Sequence, residues 1–186
     1  MLASTLKAAA ALALALPAAQ ACLLYSDANT LATNFGKLVS AYNQKLANQT
    51  LTPNFIDYSE SVNTLIDNGG DAPLALLGET FDSRAGFESA SAAQPSVPWT
   101  LKNLWYTCDT ITARWESDQS PKPVVGISVM HTKLTAQFGN PSLWQIDEIW
   151  GEFDSAAWLT NLGILQPASK KERRREGDLK EVAFEA

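Results

Sequence analysis

Leu104-Trp105-Tyr106-Thr107-Cys108-Asp109-Thr110-Ile111-Thr112-Ala113-Arg114-Trp115 is the stretch whose reading decides the fold. Aromatic and β-branched residues alternate with polar ones on both sides of a Cys-Asp break, which reads as two strands, Trp99 to Thr107 and Cys108 to Glu116. Two more runs rich in Val, Ile, Thr and Trp follow, Pro123 to Leu134 and Leu143 to Phe153. Between them lie the turn formers Ser117-Asp118-Gln119-Ser120-Pro121 and Phe138-Gly139-Asn140-Pro141. Sequential strands with brief connections favour an antiparallel meander. All six tryptophans, Trp99, Trp105, Trp115, Trp144, Trp150 and Trp158, fall in this half. Several such rings on one sheet wall a core or a cavity, because each brings a large apolar area and one N–H that needs an acceptor.

The preceding half reads as helices. After a cap at Ser26 or Asp27, Leu31, Phe35, Leu38, Tyr42 and Leu46 recur at spacings of three and four, which predicts one long amphipathic helix. Phe55, Tyr58, Val62, Leu65 and Ile66 predict a second, short helix that stops at Asn68-Gly69-Gly70, and a third is expected from Ser83 towards Ala92. Helices followed by one long sheet make an α+β domain with the helices packed on a sheet face. Both faces of the sheet carry apolar residues, so the second face also needs a cover, and self-association as a homodimer through it is an expectation.

The N-terminus predicts a signal peptide over residues 1–21: Lys7, an apolar run from Ala8 to Leu16, then Ala19-Gln20-Ala21 before the cleavage point. No segment approaches the roughly 20 apolar residues that a membrane span needs. A domain is expected over 22–167, and a charged tail over 168–186 that reads as a solvated extension, with a basic address as the alternative. In an oxidising compartment Cys22 and Cys108 are expected to pair, free thiols being the alternative. Two cysteines and one histidine do not give a zinc spacing, so no metal is expected, and without a phosphate or nucleotide motif no cofactor is expected either. Asn48-Gln49-Thr50 is a glycosylation sequon, expected where a helix gives way to a loop. The acidic balance, a formal net charge of −6, argues against nucleic acid as a partner.

Three segments together carry a resemblance: Asn54-Phe55-Ile56-Asp57-Tyr58-Ser59-Glu60-Ser61-Val62-Asn63-Thr64-Leu65-Ile66, then Leu104 to Trp115, then Glu152-Phe153-Asp154-Ser155-Ala156-Ala157-Trp158-Leu159. The chain resembles the small secreted fungal proteins of the nuclear transport factor two-like superfamily, over roughly Cys22 to Pro167. The resemblance implies a cone fold, in which a curved antiparallel or mixed sheet wraps a long N-terminal helix and two short ones around an apolar cavity. Such proteins are similar in fold to ketosteroid isomerases, scytalone dehydratase, limonene epoxide hydrolase and polyketide and terpenoid cyclases. The cysteine-proline loop frequent in the secreted group is replaced here by Asn68-Gly69-Gly70-Asp71-Ala72-Pro73.

A carboxylate or histidine in a dry cone has its pKa moved by desolvation and works as acid or base near neutrality. The catalytic candidates are therefore Asp57, Tyr58, His131 and Glu148. Asp57 and Tyr58 open the predicted second helix, where Asp57 alternatively serves as its cap. His131, the one histidine, is either a general base or a hydrogen-bonded rim residue. Glu148 lies between Trp144 and Trp150 on one strand face, and a one-residue change of register moves it between cavity and solvent. Tyr42, Trp105, Trp115, Trp144 and Trp150 are the expected pocket wall. Such a wall also suits a cyclase, including a pericyclic one, that works by holding a flexible substrate in its reactive conformer. The expected function is a small cofactor-free enzyme of fungal secondary metabolism that isomerises, dehydrates or cyclises an apolar terpenoid or polyketide intermediate. The alternative is a non-catalytic secreted protein that binds an apolar small molecule or a host surface.

Overall fold

The computed structural model describes residues 21–66, 76–135 and 143–166. The expected signal peptide, the charged tail, the Asn68–Pro73 segment and the Phe138–Pro141 turn lie outside the described residues, apart from Ala21. Helices α1 (Tyr25–Ser40) and α2 (Gln44–Thr50) come first, followed by strand β1 (Leu51–Tyr58), α3 (Glu60–Ile66) and α4 (Arg84–Ala93). Strands β2 (Thr100–Tyr106), β3 (Thr110–Ser117), β4 (Val124–Leu134) and β5 (Trp144–Phe153) then run in succession to α5 (Ser155–Asn161). The four later strands form the expected antiparallel meander, and β1 adds to its far edge in parallel with β5, giving the order β1-β5-β4-β3-β2. The result is an α+β domain built on one mixed, curved sheet.

Three elements differ from the sequence reading. The long helix is two: α1 ends at Ser40, and the Asn43 side chain accepts the Leu46 amide at 2.9 Å, starting α2. Asparagine offers the backbone this alternative partner, so it favours a cap over a helix interior. The segment read as the start of the second helix is strand β1, with Phe55, Asp57 and Ser59 buried in alternation and helix beginning only at Glu60. Pro53 fits there because β1 is an edge strand whose register shifts between Leu51 and Ile56. Helix α5 was not anticipated, although Asp154 caps it in the ordinary way by accepting the Ala157 amide at 2.8 Å.

The helices cover one sheet face. Leu31, Phe35 and Leu38 of α1 pack with Phe55, Phe87, Ile111, Met130 and Ile149 in the larger apolar cluster. A smaller cluster joins Trp115, Val124 and Ala157 to Trp99, Phe153 and Trp158. Gly126 makes the smaller cluster possible, since a Cβ there would lie 2.3 Å from the Trp115 ring. Gln145, fully buried, donates through Nε2 to the carbonyls of Asn48 and Leu51, fastening the α2–β1 junction to β5. Cys22 and Cys108 form a disulfide, and the Leu23 amide donates to the Cys108 carbonyl, so the approach to α1 is tied to the β2–β3 turn. Among the described residues no helix is long and apolar enough to cross a membrane.

Candidate active site

A cavity of about 140 Å³ opens where the two clusters meet. Phe35, Phe87 and Ile149 wall it from the larger cluster, and Trp115, Phe153 and Trp158 from the smaller. Polar lining comes from Asp57, Ser59, Ser91, Gln94 and Ser128. Of these, Asp57 is the one ionisable side chain.

Strand alternation places it there. Asp57 follows Phe55 on the covered face of β1 and is 6% exposed. Its backbone is held from two sides. Register pairs Asp57 with Ile149 of β5, while its N–H donates to the Phe81 carbonyl and its carbonyl accepts the Thr80 and Phe81 amides. Its carboxyl makes no side-chain hydrogen bond to any described residue. Burial raises the Asp57 pKa to about 7, helped by the negative charge of Glu152 nearby. A desolvated carboxyl disfavours ionisation, and a like charge disfavours it further. Near neutral pH this group therefore exists in both protonation states and can give or take a proton.

Glu152 is fixed by a separate task. It accepts the Glu60 and Ser61 amides, each at 2.9 Å, and the Ser61 hydroxyl, supplying a carboxylate to the N-terminus of α3. Ser61 Oγ also accepts the Phe153 amide at 3.0 Å. The helix after β1 is thereby joined to β5 beside the cavity.

The other sequence candidates are distributed differently. Trp115 lines the cavity, but Tyr42, Trp105, Trp144 and Trp150 do not. Tyr42 is half-buried in the α1–α2 connection and packs against the larger cluster. Trp144 is core. Trp105 and Trp150 are 54% and 43% exposed on the uncovered face. The register explains this. In β5 the covered face carries Ile149, Gly151 and Phe153, so Glu148 and Trp150 point the other way. Tyr58, next to Asp57 on a strand and not on a helix, also lies on the uncovered face, stacked on Trp150 at 5.8 Å with 7° between the planes. Burial raises its pKa, with Glu79 and Glu148 adding to the effect.

His131 is likewise outside the cavity. Its Nδ1 lies 2.8 Å from Asp147 Oδ1, Lys133 Nζ lies 2.6 Å from the other Asp147 oxygen, and Asp109 stands 3.9 Å from Nε2. The hydrogen bond to Asp147 raises the Lys133 pKa. Asp147 is reached because β5 shifts register opposite His131 and Thr132. Among the described residues no group of His, Cys, Asp and Glu has the arrangement of a metal site. Ser59, Ser128, Gly151, Phe153 and Trp158 were missed as cavity residues. For Ser128 the available signal was its alternation with Ile127 and Val129.

The NTF2-like domain family matches residues 21–165. The chain belongs to this family. Among solved structures it is similar to a proposed polyketide cyclase of Bacillus cereus, at 18% identity and a TM-score of 0.51, with 76% of this chain and 83% of that one covered. It is also similar to IdmH of Streptomyces antibioticus, a proposed polyketide cyclase, at 14% identity and a TM-score of 0.50, covering 73% of this chain and 98% of that one. TsrD of Streptomyces laurentii gives 14% identity and a TM-score of 0.50, over 77% and 99%. A search of curated protein sequences finds no match. At these identities the NTF2-like likeness is one of fold.

Proposed function

We propose that this NTF2-like protein is a cofactor-free isomerase, dehydratase or cyclase of fungal secondary metabolism, acting in its cavity on an apolar terpenoid or polyketide intermediate. The observation that carries the reading is Asp57: a buried carboxyl, the one ionisable group among the described lining of a largely apolar cavity, held half-protonated near neutrality. Its ionised form removes a proton from carbon beside a carbonyl, and its neutral form returns one to a neighbouring position or to a departing hydroxyl. Apolar walls exclude water and hold a flexible substrate close to its reactive shape. The polyketide-cyclase names of two structural relatives are consistent with this chemistry. Deleting the gene and profiling metabolites tests it. Loss of one product and build-up of its precursor are expected, with Asp57→Asn failing to restore the product; an unchanged profile overturns the reading.

Further parts of the proposal rest on sequence and surface. The leader at 1–21 directs the chain into the secretory pathway. Asn48, exposed at the end of α2 where it runs directly into β1 and not into a loop, is the proposed glycan acceptor. The uncovered face aligns Tyr58, Trp150, Val129, Thr112 and Trp105 in one row across all five strands. This row supports a homodimer through the sheet. It also favours the second reading, a non-catalytic secreted protein whose exposed rings engage a host surface.

A further inference from the structure

Trp115 and Ser128 meet inside the cavity wall, 6% and 3% exposed, with the indole Nε1 3.1 Å from Ser128 Oγ. An indole nitrogen can only donate, so in this contact Ser128 accepts. Its own proton is left over. No described residue accepts it. A hydroxyl in this arrangement has one of its two lone pairs occupied and keeps its O–H to donate to a ligand.

The opposite strand leaves that donor accessible. Ser128 pairs across the sheet with Gly151, and a Cβ on Gly151 would lie 3.4 Å from Ser128 Oγ. The missing side chain therefore keeps a niche beside the hydroxyl, and both residues line the cavity. Asp57 lies elsewhere along the same wall: it pairs with Ile149, one strand away from Ser128's partner and two residues short of it. At about 4.8 Å per strand and about 3.3 Å per residue, the two Cα positions are separated by on the order of 12 Å. Ile149, between them, is apolar.

We propose that Ser128 is the ligand-orienting donor of the cavity, selecting elongated apolar molecules that carry an acceptor oxygen, such as a ketone, at the end remote from Asp57. The inference rests on the proposed function in taking the cavity as the ligand site and Asp57 as its reacting end. Ser128 is a specificity residue in this arrangement, because the reacting bond lies at the Asp57 end. Trp115 serves it by filling one acceptor position of the hydroxyl, which leaves the O–H for the ligand.

Equilibrium dialysis of the disulfide-bonded protein against 2-acetylnaphthalene and 2-isopropenylnaphthalene tests this, since the two share a shape and differ in C=O against C=CH2. Comparing each ligand between proteins cancels their different hydration. Ser128→Ala is expected to weaken the ketone about three- to tenfold, the worth of one neutral hydrogen bond, and to leave the alkene's Kd unchanged. Gly151→Ala keeps the hydroxyl but fills its niche and is expected to shift the ketone-to-alkene ratio in the same direction, so the test survives if Ser128→Ala does not fold. Circular dichroism verifies both folds. An identical Kd ratio in wild type and folded variants overturns the role of Ser128 while leaving the cavity as a ligand site. Binding of neither compound to the wild type overturns both.

Discussion

Asp57 shows at the scale of one residue why a good candidate can be named on a mistaken premise. An acid beside an aromatic in an apolar segment stood out in the sequence, yet the spacing of Phe55, Tyr58 and Val62 imitates a helix only because a strand and a helix abut at Ser59. On the strand, neighbours point to opposite faces, so Asp57 enters the cavity and Tyr58 leaves it. The same rule removes Glu148 and Trp150 from the cavity. Composition suggested a wall of tryptophans, but register gives only Trp115 to it, and helix α5 adds Trp158. The buried carboxyl has a cost that pH reveals. Its pKa is about 7 in the folded chain and about 3.9 when unfolded. The folded state then binds more protons between those values, so this group's contribution is greatest below pH ~4 and falls as pH rises to about 7. Urea unfolding of Asp57→Asn against wild type is expected to show the variant gaining relative stability across that window. The gain reaches at most roughly 4 kcal/mol at pH 8; a pH-independent difference would contradict the assignment.

Elements carry the next level of control, and α3 is the clearest case. It has seven residues, too few to hold a helix in isolation, and depends on contacts from β5. Glu152 provides them by occupying its first amides. Glu152→Ala is expected to cost about 1–2 kcal/mol in chemical denaturation, the loss of a cap and of a favourable helix-end charge. Glu152→Gln keeps an acceptor and is expected to cost less. Both remove the charge that adds to the effect of burial on the Asp57 pKa, so an Asp57 titration followed by NMR is expected to move to lower pH in both. The strands of the meander were legible because their β-branched and aromatic runs are bounded by turn formers. The strand β1 was hidden, since its partner β5 lies some ninety residues away and local periodicity has no access to such a pairing. The α1–α2 break was legible in principle at Asn43, but the apolar spacing of Tyr42 and Leu46 ran across it.

For the whole molecule, the α+β class and the one-face helical cover followed from the order of patterns, while the division of the sheet into a cavity side and an open side required register. That open side predicts association. Trp105, Ile127 and Trp150 are each more than 40% exposed on it. Light scattering coupled to size exclusion is expected to give twice the protomer mass at micromolar concentration. Trp150→Glu is expected to return the monomer without loss of helical circular dichroism, whereas a monomeric wild type would speak for the uncovered face being left to another partner.

The parallel edge strand has one more implication, for inheritance. The cavity's acid comes from β1, its charge neighbour and floor from β5, and its hydroxyl donor from β4. No contiguous stretch of the gene encodes the site. A splice variant or proteolytic fragment that keeps either half retains part of the scaffold and none of the assembled chemistry, so recombination can pass this site on only as an entire domain.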